Sequence, residues 1–132
     1  GAELNGSYGA YPGTDSPGTA MLKDMASAAG FDGTASYVPE SYDAAALIML
    51  AMQAAGSSKA AQDTGKVMDV ANAPGEKIYP GELAKALELI AAGTDIDYEG
   101  ASAVELVGAG ESKGNYQEIL FADGVYATVK YH

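Results

Sequence analysis

Nucleophilic and acid–base chemistry have little to draw on in this chain. Its 132 residues include no Cys and a single His, the last residue, His132. A lone terminal His reads as a tag remnant or a frayed end rather than a general base. No Ser is expected to act as a nucleophile from a Gly-x-Ser-x-Gly setting. The 18 Asp and Glu are spread along the sequence, as on a solvated acidic surface. The chain is therefore not expected to be an enzyme, and no cofactor is expected.

Two short runs carry acids or glycines at suggestive spacings. Asp95-Ile96-Asp97-Tyr98-Glu99-Gly100 places acids at the first, third and fifth positions and Gly at the sixth, as a calcium loop does. Calcium also needs a bidentate acid at the twelfth position, which here is Leu106, with Glu105 one residue away. A helix-to-strand turn accounts for the run, and no metal site is expected. Gly108-Ala109-Gly110-Glu111-Ser112-Lys113-Gly114 has the glycines of a phosphate loop. Such a loop meets its anion at the N-terminus of a following helix. Here the strand at Tyr116 follows, so a tight connection between strands is expected.

The aromatic residues are better placed for recognition. Tyr8, Tyr11, Tyr37 and Tyr42 flank the first expected strand and the entrance of the most apolar helix. Tyr combines an apolar ring with a hydroxyl, which suits a small amphipathic ligand. The same residues would also serve as core edges with satisfied hydroxyls.

The elements that must position these residues follow from periodicity and breakers. Leu4 to Tyr11 alternates weakly and reads as a strand thinned by glycine. Asp15 or Ser16 caps a helix with Pro17 in its first turn and Met21, Met25 and Ala28/Ala29 at helical spacing, stopped by Gly30. Phe31 to Pro39 reads as loop ending in an extended segment, because the residue before Pro is pushed out of the α region. Ser41 to Ala55 is apolar almost all round, as in a helix buried on most sides. Ala44, Ala45, Ala51 and Ala54 would let neighbours approach it, and Gly56 is its C-cap. Ser57 to Ala73 reads as a weaker helix interrupted near Gly65. An amphipathic helix follows with Leu83, Leu87 and Ile90 on one face, ended by Gly93. Beyond Thr94 the period becomes two: Val104 to Val107 and Tyr116 to Phe121 read as strands. Asp123-Gly124 is a hairpin turn, and Val125 to Tyr131 is the returning strand.

Composition bounds the rest. Seven Lys and no Arg against 18 acids leave a net charge of −11, which argues against nucleic acid and against anionic lipid. No apolar run approaches the roughly 18 residues of a membrane span. Leu, Ile, Val and Phe number 23, beside 26 Ala and 17 Gly. So few large aliphatics suggest disorder or a marginal domain, but the periodicity and the nine Tyr argue for a folded chain. The chain begins Gly-Ala-Glu without a Met, so either its front has been processed off or it is a section of something longer.

Taken together, these segments resemble the type I periplasmic solute-binding proteins, the branched-chain amino-acid receptors of ABC transporters. The run Ser41-Tyr42-Asp43-Ala44-Ala45 with its helix ending Ala54-Ala55-Gly56-Ser57 resembles the family's "YDA…AAGS" helix. Leu4-Asn5-Gly6-Ser7-Tyr8-Gly9 followed by Thr14-Asp15-Ser16-Pro17 resembles its crossover strand and next helix. Leu83 to Gly93 with Ile96-Asp97-Tyr98-Glu99-Gly100-Ala101-Ser102 resembles its "aL…G…Y.GasG" segment, and Tyr116 to Val129 fits its terminal strands. The likeness covers nearly the whole chain in order. It departs at Glu105 to Ser112, where the family usually has Phe-Asp…Gly-Asp.

The resemblance implies an α/β fold, the C-terminal part of a two-lobed receptor that closes on its ligand about a hinge. Residues 1–132 would be one such fragment: about 12–93 mainly helices packing on the N-terminal lobe, about 104–131 terminal strands. It implies an extracytoplasmic, periplasmic component of an ABC importer that binds an amino acid or small organic acid. Its partners would be that ligand, a membrane permease, and the missing N-terminal part of the protein or a second copy. Ligand contacts are expected from Tyr37 first, then Tyr11, and less from Tyr42. The alternative is a self-contained acidic α+β protein-interaction domain.

Overall fold

The computed structural model describes residues 2–108 and 110–132; Gly1 and Ala109 lie outside the described residues. The fold is mixed α/β, as expected. Ala2–Leu4 form a 3-10 turn and strand β1 covers Tyr8–Pro12. The strand expected from Leu4 thus starts only at Tyr8, because Gly6 turns the backbone at φ 83° and Ser7 N–H bonds back to the Leu4 carbonyl.

Helix α1, Pro17–Ala28, begins at the expected cap: Ser16 Oγ accepts the Thr19 N–H at 3.2 Å. Its buried stripe is Gly18, Leu22 and Ala26, whereas Met21 and Met25 are exposed. The smallest residue faces inward because α1 rests on the Gly100–Ala101 backbone there.

Helix α2, Val38–Ala55, starts ahead of Ser41 and absorbs the segment expected to be extended. Tyr37 makes the chain reversal instead, at φ 66° and ψ 5°. Val38 and Pro39 then occupy the first turn, where the missing proline N–H has no intrahelical partner to lose. Gly56, at φ 59°, closes the helix as expected, its N–H bonded to the carbonyls of Gln53 and Met52. The interrupted helix is present as α3 (Ala60–Asp63), a 3-10 turn (Thr64–Lys66) and α4 (Val67–Ala71).

Strand β2 (Glu76–Ile78), helix α5 (Leu83–Ala91) and strand β3 (Ile96–Tyr98) form a parallel crossover unit. Glu76 stands opposite Ile96 and Ile78 opposite Tyr98. Strand β2 was not expected, since three residues are too short to show alternation. The run Asp95–Gly100, expected as a turn, supplies β3, with Ile96 and Tyr98 buried. On α5 the core lies on the Ala86 side, with Leu83, Leu89 and Ile90 packed against it. Leu87, about 100° round the helix from Ala86, is exposed rather than on the core face.

Strands β4 (Leu106–Gly108) and β5 (Glu111–Ser112) pair antiparallel, so the connection there is between strands, as expected. The strand expected over Val104–Val107 is shifted because Val104 packs against the core instead. Strands β6 (Tyr116–Ala122) and β7 (Val125–Tyr131) form the expected hairpin. Asp123 and Gly124 both have positive φ, 51° and 80°, the requirement of a type I′ turn. Strand β1 pairs antiparallel with β6, Tyr8 opposite Leu120 and Pro12 opposite Tyr116, giving the sheet order β1-β6-β7.

The core gathers around α2: Ala46, Leu47, Leu50 and Ala51 meet Val70, Ala71, Ile78, Ala86, Ile96 and Tyr98. Four of these ten are Ala, which lets backbones approach closely and offsets the shortage of large aliphatics. Burial of α2 is one-sided. Asp43, Ala46, Leu47, Leu50 and Ala51 face inward, while Ala44, Ala45, Ile48 and Met49 are exposed, because α4 and α5 pack on one flank only. Among the described residues no helix is long and apolar enough to cross a membrane.

Candidate functional site

Asp43 ties the site together. It is 2% exposed, one turn into α2, and both carboxylate oxygens are filled. Oδ1 accepts the Tyr98 hydroxyl at 3.0 Å and the Ala101 N–H at 2.8 Å. Oδ2 accepts the Ser102 N–H at 2.7 Å and the Ser102 hydroxyl at 2.6 Å. Burial pushes the Tyr98 phenol far above its usual range, and the adjacent Asp43 charge and hydrogen bond push it further. The loop after β3 is then fastened from two more sides. Thr19 Oγ1 of α1 donates to the Ala101 carbonyl at 2.7 Å, and Asn115 Nδ2 donates to the carbonyls of Ser102 and Ala103. Gly100 is at φ 58°, and a Cβ there would run into the Asp43 carboxylate.

This fastening places Thr19 and Ser102 on the wall of a cavity of about 220 Å³. The cavity lies where the three-stranded sheet meets α1 and the head of α2. The sheet contributes Tyr11, Gln117, Tyr126 and Tyr131; the α1–α2 connection contributes Thr34 to Tyr37; the first turn of α2 contributes Pro39 and Glu40. The Tyr11 and Tyr126 rings meet edge to face, centroids 6.1 Å apart at 83°. Burial raises the Tyr11 phenol above its usual value, helped by the neighbouring Tyr126 and Tyr131 and opposed by Gln117. The Tyr11 phenol is therefore a neutral hydrogen-bonding group at physiological pH. Glu40 Oε2 is buried and has no hydrogen-bond partner. Neither Lys nor His is among the lining residues.

The structure brings Tyr11 and Tyr37, two of the three expected contact residues, to this one cavity. Tyr37 holds a left-handed backbone, rare for a bulky residue, and this conformation marks the corner where the chain turns into α2. Tyr42 is elsewhere: its hydroxyl accepts the Gly81 N–H at 3.4 Å, on the side of α2 toward α5. Tyr8 lies at the exposed start of β1, outside the lining. Glu40, Gln117, Tyr126 and Tyr131 escaped the sequence reading. An acid in the first turn of a helix is unremarkable, and the other three reach the cavity only through the long-range pairing of β1 with β6.

Other sequence candidates resolve plainly. Gly110-Glu111-Ser112-Lys113-Gly114 does spell Gly-x-Ser-x-Gly, but Ser112 lies in β5, its hydroxyl bonded to the Lys113 carbonyl at 3.2 Å. No helix follows it. Among the described residues, no group of three or more His, Cys, Asp or Glu is placed to hold a metal. His132 is not frayed: its N–H donates to the Tyr116 carbonyl at 2.7 Å, and its Nε2 lies 3.2 Å from Glu118 Oε2.

No family model matches the chain, and no solved structure matches it. Over 81 residues, 61% of this chain, the sequence is 35% identical to the substrate-binding protein BasB of a chemotactic signal transduction system in Halobacterium salinarum. The matched segment spans only about a fifth, 20%, of that relative's length. Over part of its length, the chain is similar to part of a substrate-binding protein.

Proposed function

We propose that the chain is the C-terminal part of an extracytoplasmic solute-binding protein of the two-lobed type I fold. Its cavity is one wall of the ligand cleft. The carrying observation is the convergence of Tyr11 and Tyr37, from elements far apart in sequence, on one cavity with hydroxyl, amide and carboxylate groups but no nucleophile–base pair. Its volume of about 220 Å³ falls below the roughly 300–1,000 Å³ of complete ligand pockets, and Tyr37 is 60% exposed. Both fit a wall that a second lobe completes. The likeness to BasB supports the same class of function.

On this reading the protein binds an amino acid or small organic acid and catalyses nothing. It passes the bound state to a membrane partner, the permease of an ABC importer. The relative's place in a chemotaxis system favours a second reading of that partner as a signalling receptor. The test is thermal unfolding of the two-lobed protein against a panel of amino acids and small organic acids. A ligand that binds only the native state raises Tm, and Tyr37→Ala should weaken that ligand by about tenfold or more. A flat Tm across the whole panel would sink the proposal.

A further inference from the structure

The chain has three Asn, and two of them have their amides engaged inside the fold. Asn72 Nδ2 donates to the Leu106 carbonyl at 2.7 Å while its Oδ1 accepts the Leu106 N–H at 3.0 Å. Asn115 Nδ2 donates to the carbonyls of Ser102 and Ala103 at 3.0 and 3.2 Å. Asn5 differs: it is exposed, and its side-chain amide bonds to no described residue. It also heads Asn5-Gly6-Ser7, the Asn-x-Ser/Thr pattern, with x not Pro, that accepts N-linked sugar in secreted proteins. Neither Asn72-Ala73-Pro74 nor Asn115-Tyr116-Gln117 has that pattern. We propose that Asn5 is an N-glycosylation site; this rests on the extracytoplasmic reading above.

The local backbone presents the acceptor. Asn5 N–H donates to the Ala2 carbonyl at 3.1 Å and Ser7 N–H to the Leu4 carbonyl at 2.9 Å, which makes a surface turn ahead of β1. Gly6 sits in that turn at φ 83°, and a Cβ there would meet nothing within 4 Å, so the space around it is open. Leu4 and Tyr8 flank the turn at 51% and 66% exposure, apolar surface that a bulky, solubilising sugar would cover. The donor is an oligosaccharide held through its anomeric carbon on a lipid phosphate. Asn5 Nδ2 forms a bond to that carbon and the carbon–oxygen bond to the phosphate breaks. The phosphate leaves with that electron pair, the displaced amide proton passes to a base, and nothing is oxidised or reduced. The cleft stays free. Tyr11 and Pro12 line the cavity from the far end of β1, and no residue from 2 to 8 does. Tyr8 to Pro12 spans about 14 Å of strand at roughly 3.4 Å per residue.

The test uses the whole protein and three variants, Asn5→Gln, Ser7→Ala and Ser7→Thr, produced in the cells that naturally make it. Protein recovered from outside the membrane is cut after Lys and analysed by mass spectrometry. Asn5 is the one Asn before Lys23, so the peptide ending there reports on it without ambiguity. In the wild type and in Ser7→Thr this peptide should carry the added mass of whole sugar residues, localised to Asn5 by fragmentation. Asn5→Gln and Ser7→Ala should lose that mass, with unchanged circular dichroism showing that both are folded. A bare Asn5 in the recovered wild type, or one changed only to Asp by loss of ammonia, overturns the inference and leaves solute binding standing. Sugar that survives Ser7→Ala does the same. Protein confined to the cytoplasm overturns the extracytoplasmic reading and the inference together.

Discussion

Asp43 shows how one residue can organise a site that it does not line. Its two oxygens take the Tyr98 hydroxyl, two backbone N–H groups and the Ser102 hydroxyl, fixing the loop that carries Ser102 to the cavity. Asp43→Asn keeps the shape but turns an amino group toward donors, so it should cost about 2–4 kcal/mol, measured by urea unfolding at neutral pH. Tyr98 adds a pH dependence. Its phenol is raised in the folded state, so its contribution is complete below the ordinary phenol value of 10.0 and is lost as pH rises above it. Tyr98→Phe should lose about 1 kcal/mol at neutral pH and show a shallower fall in stability in alkali. An unchanged alkaline slope would contradict this account. The Asp43 contacts were not legible in the sequence, because its partners lie more than fifty residues away.

Helix α1 illustrates what governs elements. Its start was legible because capping is local: Ser16 and Pro17 stand next to the turn they define. Its orientation was not, because Gly18, Leu22 and Ala26 face inward while the larger Met21 and Met25 face out. Contact with the Gly100 carbonyl decides that, since any side chain at position 18 collides with it. Gly18→Ala should therefore destabilise by about 1–3 kcal/mol through overpacking and displace Thr19 from the cavity wall. Met21→Ala, on the exposed side, should stay within about 0.5 kcal/mol. Paired thermal melts would check both, and equal Tm values would contradict the assigned face.

At the scale of the whole molecule, two features oppose each other. A net charge of −11 repels copies of the chain, while Ile48 and Met49 lie exposed on α2, at 57% and 48%. In the proposed two-lobed protein, further chain would cover that face. In the chain by itself, self-association is expected instead, strengthening as salt screens the charge. Sedimentation equilibrium should show mass rising with concentration and salt, and the double variant Ile48→Glu, Met49→Glu should remain monomeric. A wild-type chain that is monomeric at all salt concentrations would contradict the prediction.

The low count of large aliphatics, which by itself suggests disorder or a marginal domain, is reconciled by the core. Ala46, Ala51, Ala71 and Ala86 close the distances that bulkier side chains would otherwise fill. The sequence alone determined the helices with strong local signals, the Asp123-Gly124 hairpin and the acidic surface, since caps, turns and periodicity act over a few residues; the candidacy of Tyr11 and Tyr37 came from the family resemblance. Only the tertiary structure decided which helix faces are buried, that Tyr42 turns away, and that Glu40 joins three sheet residues on one wall. Those outcomes depend on β1 meeting β6 across more than a hundred residues and on one backbone resting against another. No local pattern encodes contacts of that kind.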